Sequence, residues 1–213
     1  MITDERIVSY IHSLERANSD ILTEIEEFAH NNDVPIIRKE MESFLRVLLE
    51  VKKPVRILEL GTAVGYSAIL MSECIGDGAI IDTIENYEKR IIIARDNIAR
   101  AGKNHVINLI EGDALEVIGK MEEKYDFIFM DAAKAQYINY LPHIVRLMNK
   151  GAVLVTDNVL QEGDIIQSRY IVERRDRTIH SRVREFIYEV KNHSQLETSI
   201  IPIGDGITMS VRI

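Results

Sequence analysis

The sequence predicts an α/β fold: a mostly parallel seven-stranded sheet with helices on both faces, an N-terminal helical extension and an antiparallel C-terminal hairpin. Three observations carry it. Residues 1–53 place apolar side chains at three- and four-residue spacing, the period of a helix face. From residue 54 onward, short β-branched runs alternate with helical stretches, the rhythm of a parallel sheet wrapped by helices. Near the C-terminus two further runs flank Gly204-Asp205-Gly206, a hairpin signal.

Taken in order, Ile7, Ile11 and Leu14 mark a first helix, and Ile21, Ile25 and Phe28 a second. Met41, Phe44, Leu45 and Leu48 mark a third. Asp33-Val34-Pro35 separates the second from the third, and Lys53-Pro54 closes the helical part. Strands are predicted at 56–60, 79–85, 106–111, 125–131 and 152–156, with helices between them at 66–75, 87–101, 115–122 and 136–149. The hairpin strands are 197–203 and 207–213. The organisation is therefore a helical extension, residues 1–53, and a single structural unit, residues 54–213.

Composition sets bounds. The chain has 213 residues, 46% of them apolar and 28% charged, which excludes wholesale disorder. A single cysteine, Cys74, excludes an intrachain disulfide framework and a cysteine-based zinc site. No apolar run approaches the ~18 residues needed to span a bilayer, and the first residues lack a basic segment followed by an apolar one. The expectation is a soluble cytoplasmic protein without a membrane partner. Net charge is −8, and residues 1–50 contribute −6 of it, eleven acids against five bases. At first sight that balance argues against nucleic acid.

Chemistry enters with Ile57-Leu-Glu59-Leu-Gly61-Thr62-Ala-Val-Gly65-Tyr-Ser67. A buried strand runs into a glycine turn and then a helix, the layout that seats nucleotide ligands. The spacing, Gly61-x-x-x-Gly65, departs from G-x-G-x-x-G, and Glu59 precedes it. An acid there repels a pyrophosphate and suits a cationic ligand such as S-adenosylmethionine, whose ammonium and sulfonium come without a phosphate. Glu85 ends the second strand, placed to accept ribose hydroxyls, and Glu111-Gly112-Asp113-Ala114 ends the third, placed for an adenine amino group. Each acid singly can also be a helix cap.

Two more strand ends carry acids, Asp131-Ala-Ala-Lys134 and Thr156-Asp157-Asn158. On adjacent parallel strands, Asp131, Asp157 and Asn158 form an oxygen-donor set for a hard divalent cation, Mg²⁺ first, with Mn²⁺ or Ca²⁺ as alternatives. Capping roles for these residues are the plainer alternative. Lys134, three residues after Asp131, is a candidate general base in the same site, with its pKa depressed by a neighbouring cation; a surface salt bridge is the other reading.

Together the strings Ile57–Ser67, Phe129-Met-Asp-Ala-Ala-Lys134, Thr156-Asp-Asn-Val-Leu160 and Pro202-Ile-Gly-Asp-Gly-Ile207 resemble the cation-dependent catechol and caffeoyl-CoA O-methyltransferases. The resemblance implies a Rossmann-like class I methyltransferase. It puts metal ligands on Asp131, Asp157 and Asn158 and the catalytic lysine on Lys134. Its S-adenosylmethionine contacts fall on Ile37, Glu59, Gly61, Thr62, Ser67, Glu85, Asp113, Ala114 and the backbone near Asp131. It also implies a homodimer. Within that family the chain looks most like the branch that methylates 5-hydroxyuridine at the tRNA wobble position, through Val34-Pro-Ile36, Gly65-Tyr-Ser-Ala-Ile69, Asp131-Ala-Ala-Lys-x-Gln-Tyr137 and an arginine-rich stretch before the last helix. The tryptophan that plant small-molecule members carry after the Asp-Asn pair is missing, and the chain has none anywhere.

That arginine-rich stretch, 169–184, holds Arg169, Arg174, Arg175, Arg177, Arg182 and Arg184 against two acids, a local +4. Arg174, Arg175, Arg177 and Arg182 are the candidates for contacting tRNA anticodon-loop phosphates; an ion-paired helix face is the alternative. Competing functions are an O-methyltransferase for small catechol-like or vicinal hydroxy compounds, and a non-catalytic nucleotide- or RNA-binding module. An NAD-dependent enzyme is disfavoured by Glu59 and the missing third glycine. Of the histidines, only His180 lies inside the basic stretch.

Overall fold

The computed structural model describes residues 3–168 and 170–213. Three helices open the chain, α1 (Glu5–Leu14), α2 (Asp20–Asn31) and α3 (Lys39–Lys52). Strands and helices then alternate: β1 (Arg56–Leu60), α4 (Tyr66–Ser72), β2 (Ile80–Glu85), α5 (Glu88–Arg100), β3 (Ile107–Glu111), α6 (Ala114–Lys120), β4 (Tyr125–Met130), α7 (Tyr137–Leu147) and β5 (Met148–Thr156). The chain ends in α8 (Arg177–Asn192), β6 (Leu196–Ile201) and β7 (Ile207–Arg212).

The seven strands form one sheet in the order β3-β2-β1-β4-β5-β7-β6. The first five pair in parallel, and β7 pairs antiparallel with both β5 and β6, as the sequence predicts. Alternation along the central strands explains the two-sided burial. Leu58, Leu60, Ile128, Met130 and Leu154 pack under α6, α7 and α8. Ile57, Phe127, Phe129, Val153 and Val155 face the other way, under α2, α3 and α4. Successive side chains point to opposite faces, so a strand apolar throughout must be covered on both sides. Strand order reverses between β1 and β4, and the carboxyl ends there leave a crevice.

Three expectations need correction. β5 begins at Met148, not 152, because its register slips between Tyr125 and Phe127 of β4 and lets the strand start early. Only part of the arginine-rich stretch precedes the last helix: Arg174 and Arg175 lie ahead of α8, whereas Arg177, Arg182 and Arg184 are helical. The stripe assigned to α1 is largely in solvent, with Ile7 52% and Leu14 66% exposed, while Val8 is the buried residue. Arg169 lies outside the described residues.

Polar contacts dock the N-terminal helices. Tyr66 donates from its hydroxyl to Glu42 (2.7 Å), and Asn18 donates to the other oxygen of that carboxylate (3.0 Å). His12 pairs with the buried Glu40 at 2.7 Å. Part of the arm's negative charge is therefore spent inside the molecule. Among the described residues no helix is long and apolar enough to cross a membrane.

Candidate active site

The crevice at the carboxyl edge of the sheet is a cavity of about 800 Å³, at the upper end of small-ligand sites. Its floor is the β1–α4 turn. Gly61 has φ +99°, and a Cβ placed there would lie 2.1 Å from the carbonyl oxygen of Asp131. Only glycine lets the first turn and the end of β4 approach this closely. The peptide groups of Gly61 and Thr62 donate to the Ile84 carbonyl, and Asp131 N–H donates to that of Leu60. These bonds lock the turn to β2 and β4.

Glu85, at the tip of β2, lines the cavity. Its carboxylate accepts the N–H groups of Ala63, Asn86 and Tyr87, each at 2.9 Å, which fix it where ribose hydroxyls would meet its remaining lone pairs. Asp113 also lines the cavity while capping α6, accepting from Leu115 and Glu116 N–H. Asp113 is thus both a helix cap and a cavity-wall residue. Ile37, Thr62, Ser67 and Ala114 complete the wall among the expected cofactor residues.

Glu59 stands elsewhere. It is fully buried beneath the turn and is not part of the cavity wall. Its two oxygens accept the hydroxyls of Ser67 and Thr83, both at 2.5 Å. The expected direct pairing with a ligand in the cavity is replaced by contacts to Ser67 and Thr83, because β1 points Glu59 under α4. Burial raises its pKa from the ordinary 4.5 to about 7. A carboxyl raised in this way stabilises the fold while protonated, and that stability drains away as pH rises through the folded value. Relative to Glu59→Gln, the wild type should lose roughly 3 kcal/mol between pH 4.5 and about 7. Urea melts of both proteins at pH 5 and 7.5 check this, and a pH-independent gap would refute it.

At the far side, Asp131, Lys134, Asp157 and Asn158 line the same cavity. Asn158 takes φ +57°, and its N–H donates to Asp157 Oδ1 at 2.6 Å. Asp131 and Asp157 are both pushed to higher pKa, chiefly by burial, and Asp157 further by repulsion from Asp131 and Asp205. Two desolvated carboxylates that repel each other, with the Asn158 amide in the same cavity wall, fit a hard divalent cation. Among the described residues no three His, Cys, Asp or Glu side chains gather as a ligand set, so a cation here would need the Asn158 amide beside the two acids. Behind it, Tyr137 is fully buried, donates to the Asp157 carbonyl (3.2 Å) and meets Phe186 of α8 edge-on. Tyr140 is a pocket residue.

Sequence reasoning missed Asp205. The hairpin tip folds back over the exit of β5, where Val159 and Leu160 N–H donate to the carbonyls of Gly206 and Asp205. This brings Asp205 Oδ2 within 4.0 Å of Lys134 Nζ. The Gly-Asp-Gly turn was the signal available for it. Arg38 of the wall was missed too.

The basic stretch divides. Arg174 and Arg175 are exposed, with Arg175 paired to Glu173 (3.0 Å) and Asp176 (3.4 Å). Arg177 donates to the carbonyls of Val172 and Tyr170, both at 3.1 Å. Arg182 holds the Ala135 carbonyl at 3.0 Å, one residue beyond Lys134. Buried His180 faces the Asp164 carbonyl at 3.2 Å.

A nucleoside-sized cradle joined at Asp131 to an acid cluster defines a group-transfer enzyme on a Rossmann-like sheet. Residues 11–213 match the model of the O-methyltransferase family, and the chain belongs to that family, the cation-dependent class of the caffeoyl-CoA enzymes. It is 33% identical over 184 residues to caffeoyl-CoA O-methyltransferase 2 of Populus trichocarpa, covering 80% of this chain and 72% of that one. A candidate caffeoyl-CoA O-methyltransferase of Staphylococcus aureus superposes with a TM-score of 0.90 at 30% identity, over 99% and 100% of the two chains. An O-methyltransferase of Bacillus cereus crystallised with S-adenosylhomocysteine gives 0.86 at 26%, over 98% and 97%.

Proposed function

We propose that this protein is an S-adenosylmethionine- and divalent-cation-dependent O-methyltransferase that converts 5-hydroxyuridine to 5-methoxyuridine at the wobble position of tRNA. The observation that carries it is the meeting of two half-sites on Asp131, whose backbone abuts Gly61 of the cofactor turn while its side chain belongs to the acid cluster. Asp131, Asp157 and Asn158 would hold a divalent cation, which would supply Lewis acidity toward an acceptor with adjacent oxygens. 5-Hydroxyuracil has such a pair in its O5 hydroxyl and O4 carbonyl. Lys134 takes the hydroxyl proton, and Asp205 balances the resulting charge. Glu85 and Asp113 fix the nucleoside of the methyl donor, and the walls hold donor and acceptor in line.

The absence of tryptophan supports a base over a phenylpropanoid ring as acceptor. Exposed Arg174 and Arg175 support an RNA backbone as partner. The net −8 is no obstacle, because residues 51–213 carry only −2 and the basic stretch is local. A homodimer belongs to this reading, supported by Ile7, Tyr10 and Leu14 standing exposed on α1. The names of the plant relatives favour a second reading, a small catechol as acceptor.

Nucleoside analysis of tRNA bearing 5-hydroxyuridine, incubated with protein, S-adenosylmethionine and Mg²⁺, decides between them. The expected product is 5-methoxyuridine, lost with EDTA and reduced at least ~100-fold in Lys134→Ala. No product, or product indifferent to chelator, overturns the reading.

A further inference from the structure

Arg38 lies just ahead of α3, in the wall of the cavity that holds Lys134 and Asp157. Its guanidinium reaches from that wall to Glu162, Nη2 to Oε1 at 3.3 Å, joining segments 124 positions apart. The contact is long and single, and Glu162 is 62% exposed. Pairs of this kind contribute about 0–1 kcal/mol, so little is lost when one partner is exchanged. An arginine carries five N–H donors in a fork that matches a phosphate.

Glu162 is held beside the cavity residue Asp205 by its backbone, independently of that contact. It sits at φ +53° between Gln161 (φ +49°) and Gly163 (φ +97°). Its N–H donates to Asp205 Oδ1 at 2.6 Å. The charges deeper in, Asp131, Asp157 and Asp205 near Lys134, are mostly negative and repel an anion. Arg90, the other arginine of the wall, stacks over Tyr87 (5.7 Å) on α5, on the Glu85 side. Arg38 is thus the cation at the acceptor's entrance.

We propose that Arg38 takes a phosphate of the methyl acceptor next to the reacting base, exchanging its contact with Glu162 for a paired, charge-assisted one. Glu162 is the placeholder that an uncharged acceptor does not displace. The proposal rests on the reading that the acceptor is a nucleotide within RNA, and it adds a residue outside the 169–184 stretch.

The test compares kcat/KM for two matched pairs of acceptors. One pair is an anticodon-loop RNA containing 5-hydroxyuridine and the free 5-hydroxyuridine nucleoside. The other is a catechol with a phosphate ester on its side chain and plain catechol. In Arg38→Ala the ratio of phosphorylated to neutral acceptor should fall about tenfold, ~1.4 kcal/mol, through KM. Arg38→Lys should restore part of it, and Glu162→Gln should raise the ratio. A fall in the RNA pair alone assigns the phosphate to the RNA backbone; a fall in both pairs assigns a general phosphate seat. Unchanged ratios, neutral and phosphorylated acceptors failing together, or a parallel rise in the KM for S-adenosylmethionine overturn the proposal. If no 5-hydroxyuridine acceptor is methylated while catechols are, the tRNA reading fails, and the catechol pair still decides the role of Arg38.

Discussion

Replacing Gly61 with alanine should cost the fold on the order of 3 kcal/mol, a fall in Tm of about 6–12 °C for a chain of this size. Two costs add. An L-residue at φ +99° is strained by about 1–2 kcal/mol. The new methyl would also lie 2.1 Å from Asp131 O and 2.9 Å from Asp131 C, both backbone atoms that no rotamer can move aside. Relief must come from separating the ends of β1 and β4, where Asp131 N–H bonds to the Leu60 carbonyl at 2.9 Å. That shift displaces the cofactor turn and the acid cluster together. Affinity for S-adenosylhomocysteine by titration calorimetry should therefore fall by ~100-fold or more, about 2.7 kcal/mol. Gly65→Ala is the contrast: it has φ +87° but nothing nearer than 3.6 Å, so it should show the strain without the collapse. Ordinary affinity in Gly61→Ala would rule out this account of the floor.

Asp157→Asn should move activity and stability in opposite directions. Methyl transfer should fall ~1,000-fold or more, because on the proposed function one of the two carboxylates that would hold the cation is gone. Cofactor affinity should stay within a few-fold, since on the proposed function the cofactor would rest on Gly61, Glu85 and Asp113, away from Asp157. Stability without metal should hold or rise, because Asp157 and Asp131 are buried like charges that repel. Asparagine keeps the shape and can still accept the Asn158 N–H. Mg²⁺ should raise the Tm of the wild type, equivalent to ~2.7 kcal/mol at a hundredfold excess over Kd, and leave the variant in place. Equal Mg²⁺ shifts in both proteins, or undiminished turnover in the variant, would remove Asp157 from the ligand set.

Much of the sheet was legible because its signals are local. Ile57-Leu-Glu-Leu and Phe127-Ile-Phe-Met declare buried parallel strands by composition alone, and each ends in a turn residue that stops it. The acids followed, since side chains at strand carboxyl ends gather on one edge wherever the sheet is parallel. Boundaries were less legible. The early start of β5 depends on a register slip against β4, and pairing between strands leaves no local mark. The first helix misled for a related reason: Ile7 and Leu14 share a face, but a face is buried only where something covers it.

The sequence by itself determined the α/β class, the glycine turn and the identity of the acids at the strand ends. All three follow from short-range periodicity and the directionality of parallel strands. Tertiary structure decided what those groups touch. It put Glu59 under the turn rather than in the cavity, with a carboxyl near neutrality. It brought Asp205 to Lys134 across 71 residues and Arg38 to Glu162 across 124. It turned Arg177 and Arg182 toward backbone carbonyls while leaving Arg174 and Arg175 exposed. The reason is common to all of them. Burial and long-range contact depend on which elements pack together, and residues distant along the chain carry no local record of that.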